Sequence, residues 1–148
     1  MNLEEHQLPA ESDFLDSRSR DLDERHAVKM FLGKTPEQAE EMFRHNFFFC
    51  YEDLLHMQAT AFRFYVIPAI RYLTGDAASG DSDAVSTFCY VLEDRLKNDP
   101  EALKPIVPIL LNAIQKILNG FARYDCASDV YGDLPTRFRK LTQQLGAQ

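Results

Sequence analysis

The sequence predicts an all-α protein, an irregular bundle of roughly five to seven helices around a central aromatic helix. Three observations carry this. Apolar residues recur at three- and four-residue spacing over most of the chain, the period of a helix face. A capping residue followed by proline, a helix-start signal, occurs at Thr35-Pro36 and again at Asp99-Pro100. No stretch shows the sustained apolar–polar alternation of a half-buried strand.

Taken in order, residues 1–24 carry eight acids against two bases, a net of −6, whereas residues 25–148 sum to −1. Acid-rich and poor in apolar residues, 1–24 is expected to be a disordered or loosely docked arm. Residues 25–148 are expected to form a single helical domain. Leu22, Ala27, Val28 and Met30–Leu32 outline a short helix that Gly33 ends. Thr35 caps the next, with Pro36 at its first position and Gln38 completing a capping box. Its inward stripe is Ala39, Met42, Phe43 and Asn46/Phe47. Phe47–Met57 continues as a second helix on Phe47, Tyr51 and Leu54/Leu55, although three consecutive Phe also suit a short strand.

Phe43–Leu73 is the segment around which the rest is organised. It holds six of the eleven Phe and three of the six Tyr. Phe62, Tyr65/Val66, Ala69 and Leu73 share one helix face, and Phe64, Ile67 and Tyr72 widen it. A helix apolar on most sides is surrounded by others, so 60–73 is read as the central helix. Pro68 lacks an N–H and crowds the carbonyl of Phe64, which predicts a kink or break within 64–68.

Residues 74–83 read as a Gly/Ser/Asp linker. Ser82 or Asp83 then caps a helix to Lys97 with the stripe Val85, Phe88/Cys89, Leu92 and Leu96. After Asp99-Pro100, Pro105 and Pro108 restart a helix whose face is Ile106, Leu110, Ala113/Ile114, Ile117 and Phe121. Residues 123–133 read as a loop, and Pro135 opens a last helix with Leu134, Phe138, Leu141 and Leu145 inward.

Several function classes are excluded at this level. A nearly neutral body offers no broad basic face for nucleic acid. The longest apolar run, 105–118, is interrupted by Asn112, Gln115 and Lys116 and does not suit a membrane span. Met1–Ala10 is acidic rather than basic-then-apolar, unlike a secretory leader. Cys50, Cys89 and Cys126 stand far apart with no paired spacing, as reduced cysteines of a cytoplasmic protein do. No phosphate-binding loop, nucleophile elbow or dinucleotide fingerprint occurs, so no catalytic residue and no cofactor is expected.

Two constellations remain. Glu52, Asp53 and His56 fall on one helix face, and Arg63 and Arg71 follow in the aromatic helix, a set suited to anchoring a protein partner or ligand. The same acids with His56, and His45 if one helix runs through, could instead ligate a metal, since carboxylate-x-x-His is a metal-binding spacing in helical bundles. Asp76/Asp81/Asp83 lack the spacing of a calcium loop and read as a solvated turn; Asp125/Asp129/Asp133 sit four apart, but Gly132 and Pro135 mark a loop there and they read as solvent-facing turn residues.

Tyr51-Glu52-Asp53-Leu54, followed by Ala61-Phe62-Arg63-Phe64-Tyr65 and Pro68-Ala69, resembles a pattern in small uncharacterised bacterial proteins. In these an aromatic "RFYLPA"-type helix follows an acidic one; here Val66-Ile67 lengthens the spacing by one residue. The resemblance implies a bacterial, cytoplasmic, helical protein, with immunity-like or accessory proteins among its relatives, and supplies no catalytic residue. The function expected is therefore a non-enzymatic protein-binding domain, immunity-like or adaptor, whose acidic arm steers a basic partner. The alternative is a metal- or small-ligand-binding protein using His45, Glu52, Asp53 and His56. A homodimer through 106–121 is a further option.

Overall fold

Ser/Thr/Asp caps and apolar stripes turn nearly the whole chain into helix. A computed structural model describes residues 8–148 and shows an all-α protein with no strand among them. The helices are α1 (Glu11–Phe14), α2 (Leu22–Phe31), α3 (Pro36–His56), α4 (Ala59–Thr74), α5 (Ser82–Asn98), α6 (Pro100–Leu103), α7 (Val107–Asn119), α8 (Ser128–Tyr131) and α9 (Leu134–Gly146). The chain divides into two compact units, one ending at Arg71 and one spanning Tyr72–Gln148.

The first unit is built on aromatic rings. Phe31 packs on Phe43 and Tyr65, Phe43 on Phe47, and Phe14 on Tyr65, with centroids 5.1–5.7 Å apart. Rings at such separations gain about 0.5–1.5 kcal/mol per pair beyond burial. The Tyr65 hydroxyl lies 2.8 and 2.9 Å from the Phe31 and Lys34 carbonyls, its single proton shared between the two acceptors. It thereby closes the end of α2, where Gly33 adopts φ +79°. Burial pushes the Tyr65 phenol up to about 12.

Part of the expected arm is folded. Residues 1–7 lie outside the described residues. Glu11–Phe14 is helical, Phe14 and Leu15 are buried, and the Phe14 carbonyl accepts the Gln58 N–H. Two apolar side chains suffice to dock this stretch once an aromatic core exists to receive them. Asp21 caps α2 through the N–H groups of Asp23 and Glu24.

The Thr35/Gln38 capping box of α3 forms as the sequence dictates. Between Phe47 and His56 the chain is helix, not strand. Of the kink or break expected within 64–68, the break is absent: α4 runs through Pro68 as one helix. Its neighbours Tyr65, Val66, Ala69 and Tyr72 are buried, and their packing outweighs the lost hydrogen bond. The break lies instead in α3, at Asn46 (φ −161°, ψ 89°). The Asn46 side-chain oxygen accepts the Phe49 N–H, so Asn46 caps a second helical segment within α3.

In the second unit, α9 packs against α5 and α7. Most of the stripes read from the sequence are buried: Val85, Phe88, Cys89 and Leu92; Ile106, Leu110, Ala113, Ile114 and Ile117; Leu134, Phe138, Leu141 and Leu145. Leu96 and Phe121, read as the last members of their stripes, are only half-buried. Asp81, not Ser82 or Asp83, caps α5. Arg137 of α9 grips Glu93 of α5 with two hydrogen bonds. Arg123 donates to the carbonyls of Leu73 and Gly75 at 2.7 and 2.8 Å, which satisfies the C-terminal end of α4. Residues 123–133 are less irregular than expected, since α8 lies within them. The stripe of α7 that suggested a homodimer is buried within the chain, and Ile109 is the one large apolar side chain of α7 that is exposed.

Candidate functional site

A cleft of about 470 Å³ opens in the first unit between the start of α2 and the second half of α3. Its position follows from the helix caps. Asp21 fixes the first turn of α2, placing Leu22, Asp23 and His26 along the cleft. Asn46 fixes the start of the second segment of α3, placing Phe48, Phe49, Glu52, Asp53 and His56 opposite.

The buried end of the site is Asp53, 3% exposed. His26 Nδ1 lies 2.7 Å from Asp53 Oδ1. An ionised carboxylate only accepts, so Nδ1 carries the proton and Nε2 is the remaining ring nitrogen. Asp53 Oδ2 is buried with no hydrogen-bond partner. Burial pushes the Asp53 carboxyl above its ordinary value; the hydrogen bond and charge of His26 oppose this, and burial wins. A buried acceptor left unpaired costs about 1–3 kcal/mol, so this carboxylate is held at a cost to the fold.

The walls are apolar. Phe48 is 58% exposed and Phe49 56%, and Leu22 on the facing helix is 81% exposed. Phe49 meets the His26 ring edge-on. Asp23, Glu52 and Asp53 supply negative charge, and among the described residues no Lys or Arg lines the cleft. At its rim His56 Nε2 stands 3.8 Å from Asp23 Oδ2.

The sequence placed Glu52, Asp53 and His56 together, and they do share the cleft. It placed His45, Arg63 and Arg71 with them, and these lie outside its lining. His45 borders a separate cavity with Met30, Met42 and Cys50, because the break at Asn46 ends the helix face it was to share with His56. Asp53 pairs with His26, not with Arg63 or Arg71. Arg71 is exposed and Arg63 half-buried. His26, Asp23 and the Leu22–Phe48–Phe49 walls went unread. One signal for the walls was visible: Phe47, Phe48 and Phe49 cannot all face inward from one helix.

Cys50 adds no nucleophile, since burial, aided by the Asp53 charge, pushes its thiol up to about 12. Among the described residues no helix is long and apolar enough to cross a membrane. No protein-family model matches the chain, and no curated protein or solved structure matches it.

Proposed function

We propose that this chain is a non-enzymatic protein-binding domain of the adaptor or immunity-like kind, and that the cleft of the first unit receives a partner segment bearing Arg or Lys beside an apolar residue. One observation carries the reading: a buried carboxylate with an unpaired oxygen stands in a cleft walled by solvent-exposed Phe and Leu. A cationic head reaching Asp53 supplies the missing donor, and its alkyl stem covers Phe48 and Phe49. Glu52 and Asp23 reinforce the sign, as does the acidic N-terminal stretch. The reading sets the protein in a reducing cytoplasm, where Cys50, Cys89 and Cys126 remain thiols.

The test is to pan a random peptide library against the intact chain and counter-select against Phe48→Ser and Asp53→Asn. Enriched peptides should carry Arg or Lys next to an apolar residue and should be lost on both variants. An acidic or charge-free consensus, or peptides that both variants retain, would overturn the proposal.

A further inference from the structure

The first turn of α2 and the last turn of α3 meet at the rim of the cleft. There Asp21, Asp23 and His56 each offer a ligand atom, and these atoms all lie within 4.8 Å of one another. We infer that this triad binds one divalent transition-metal ion of the zinc class, joining the N-terminus of α2 to the C-terminus of α3.

The geometry is close to what such an ion requires. Zn–N and Zn–O bonds of about 2.0–2.2 Å at tetrahedral angles put ligand atoms about 3.4 Å apart. His56 Nε2 and Asp23 Oδ2 are already at 3.8 Å, too far for a hydrogen bond and near that separation. Asp21 spends Oδ1 on the α2 cap, which holds its carboxylate in place and leaves Oδ2 out of the cap. The donor set is one imidazole and two carboxylates. That suits zinc and its neighbours; calcium would want six to eight oxygens. The fourth position stays open to water or a ligand.

A second observation comes from outside the triad. Asp53, one helical turn before His56, is a buried carboxylate in the wall of the same cleft, and its Oδ2 has no partner. With Asp23 and Glu52 also in the lining and no Lys or Arg of the described residues there, the cleft favours positive charge. His56 closes α3, where the negative end of the helix dipole favours a cation. The positive end of α2 opposes it, and Asp21, Asp23 and Glu24 in that first turn outweigh it. The inference stands apart from peptide docking: Phe48→Ser disturbs the docking wall and leaves all three ligands in place.

The experiment uses the full-length chain without an affinity tag, stripped with chelator and titrated with zinc chloride against a chromophoric competitor. Wild type should bind one zinc per chain. His56→Ala and Asp23→Asn should each weaken it at least tenfold, as loss of a ligand does. Asp21→Asn should weaken it too while keeping helix content by circular dichroism, because Asn caps a helix as well as Asp. Cobalt in place of zinc should give d–d bands without a thiolate charge-transfer band. Zinc held equally by His56→Ala, a thiolate band, or no competition at equimolar zinc would each overturn the assignment.

Discussion

His26 Nδ1 donates to Asp53 Oδ1 across 2.7 Å, tying α2 to α3 through a carboxylate that solvent hardly touches. Removing His26 leaves that carboxylate with neither oxygen paired. His26→Ala should therefore destabilise the chain by about 1–3 kcal/mol, the cost of an unsatisfied buried acceptor. Urea denaturation reads this directly, and an unchanged midpoint would mean that water replaces the imidazole.

The Asp53 carboxyl also sets a pH dependence. Its folded value lies above the ordinary 3.8, so the folded chain keeps this proton to higher pH than the unfolded chain does. Its contribution to stability is greatest when protonated and declines as pH rises from 3.8 through the raised folded value. Asp53→Asn removes the ionisation and keeps an acceptor for His26. The variant should gain on wild type across that window and match or exceed it at neutral pH. Parallel profiles of urea midpoint against pH would sink this account.

Asn46 should behave as a cap inside a helix. Asn46→Ala loses the hydrogen bond to the Phe49 N–H and should cost about 1 kcal/mol, while Asn46→Ser or Asn46→Asp should retain most of it. If Ala proves stabilising, the two segments have fused into one straight helix and the break was imposed by this side chain alone.

Arg123 tests the second unit. Its guanidinium serves the Leu73 and Gly75 carbonyls together and lies over the Tyr124 ring. A lysine offers neither the fork nor the planar stack. Arg123→Ala should lose about 1–3 kcal/mol, and Arg123→Lys should recover little of it in thermal or urea melts.

Thiol reactivity should separate the three cysteines. Burial pushes Cys50 and Cys89 up to about 12; Cys126 is also raised, first by burial, but its side chain is only partly buried and open to reagent. The thiolate is the reactive form. In the native chain at mildly alkaline pH, a disulfide-exchange reagent should modify Cys126 first, and mass spectrometry should find Cys50 and Cys89 untouched until denaturant is added. Rapid labelling of Cys50 would instead report opening of α3.

What was legible in the sequence was local. Thr35, Pro36 and Gln38 announce the start of α3 because a capping box is complete within four residues. The stripe Leu134, Phe138, Leu141 and Leu145 announces α9 because the helical period repeats it. Glu52, Asp53 and His56 could be grouped for the same reason. The partner of Asp53 could not, since His26 comes from another helix and no local spacing links the two. The break was sought at Pro68 and lies at Asn46. Intrinsic propensity marks proline as the breaker, but tertiary burial around Pro68 holds the helix together, and an exposed Asn46 turns its own side chain onto the backbone. Phe14 was missed because a docked turn needs few apolar residues once the rings of Phe31 and Tyr65 are in place.

The break at Asn46 also governs how this chain fails. It stands immediately before Phe47-Phe48-Phe49-Cys50-Tyr51, an uncharged stretch of high strand propensity. As helix, those residues keep their backbone groups bonded within the segment and hide Phe47. A segment prone to pair with a copy of itself thus begins at a seam in the helix, and the Asn46 cap is the latch on that seam. Aggregation then becomes a matter of how often the latch opens, not of how stable the whole chain is.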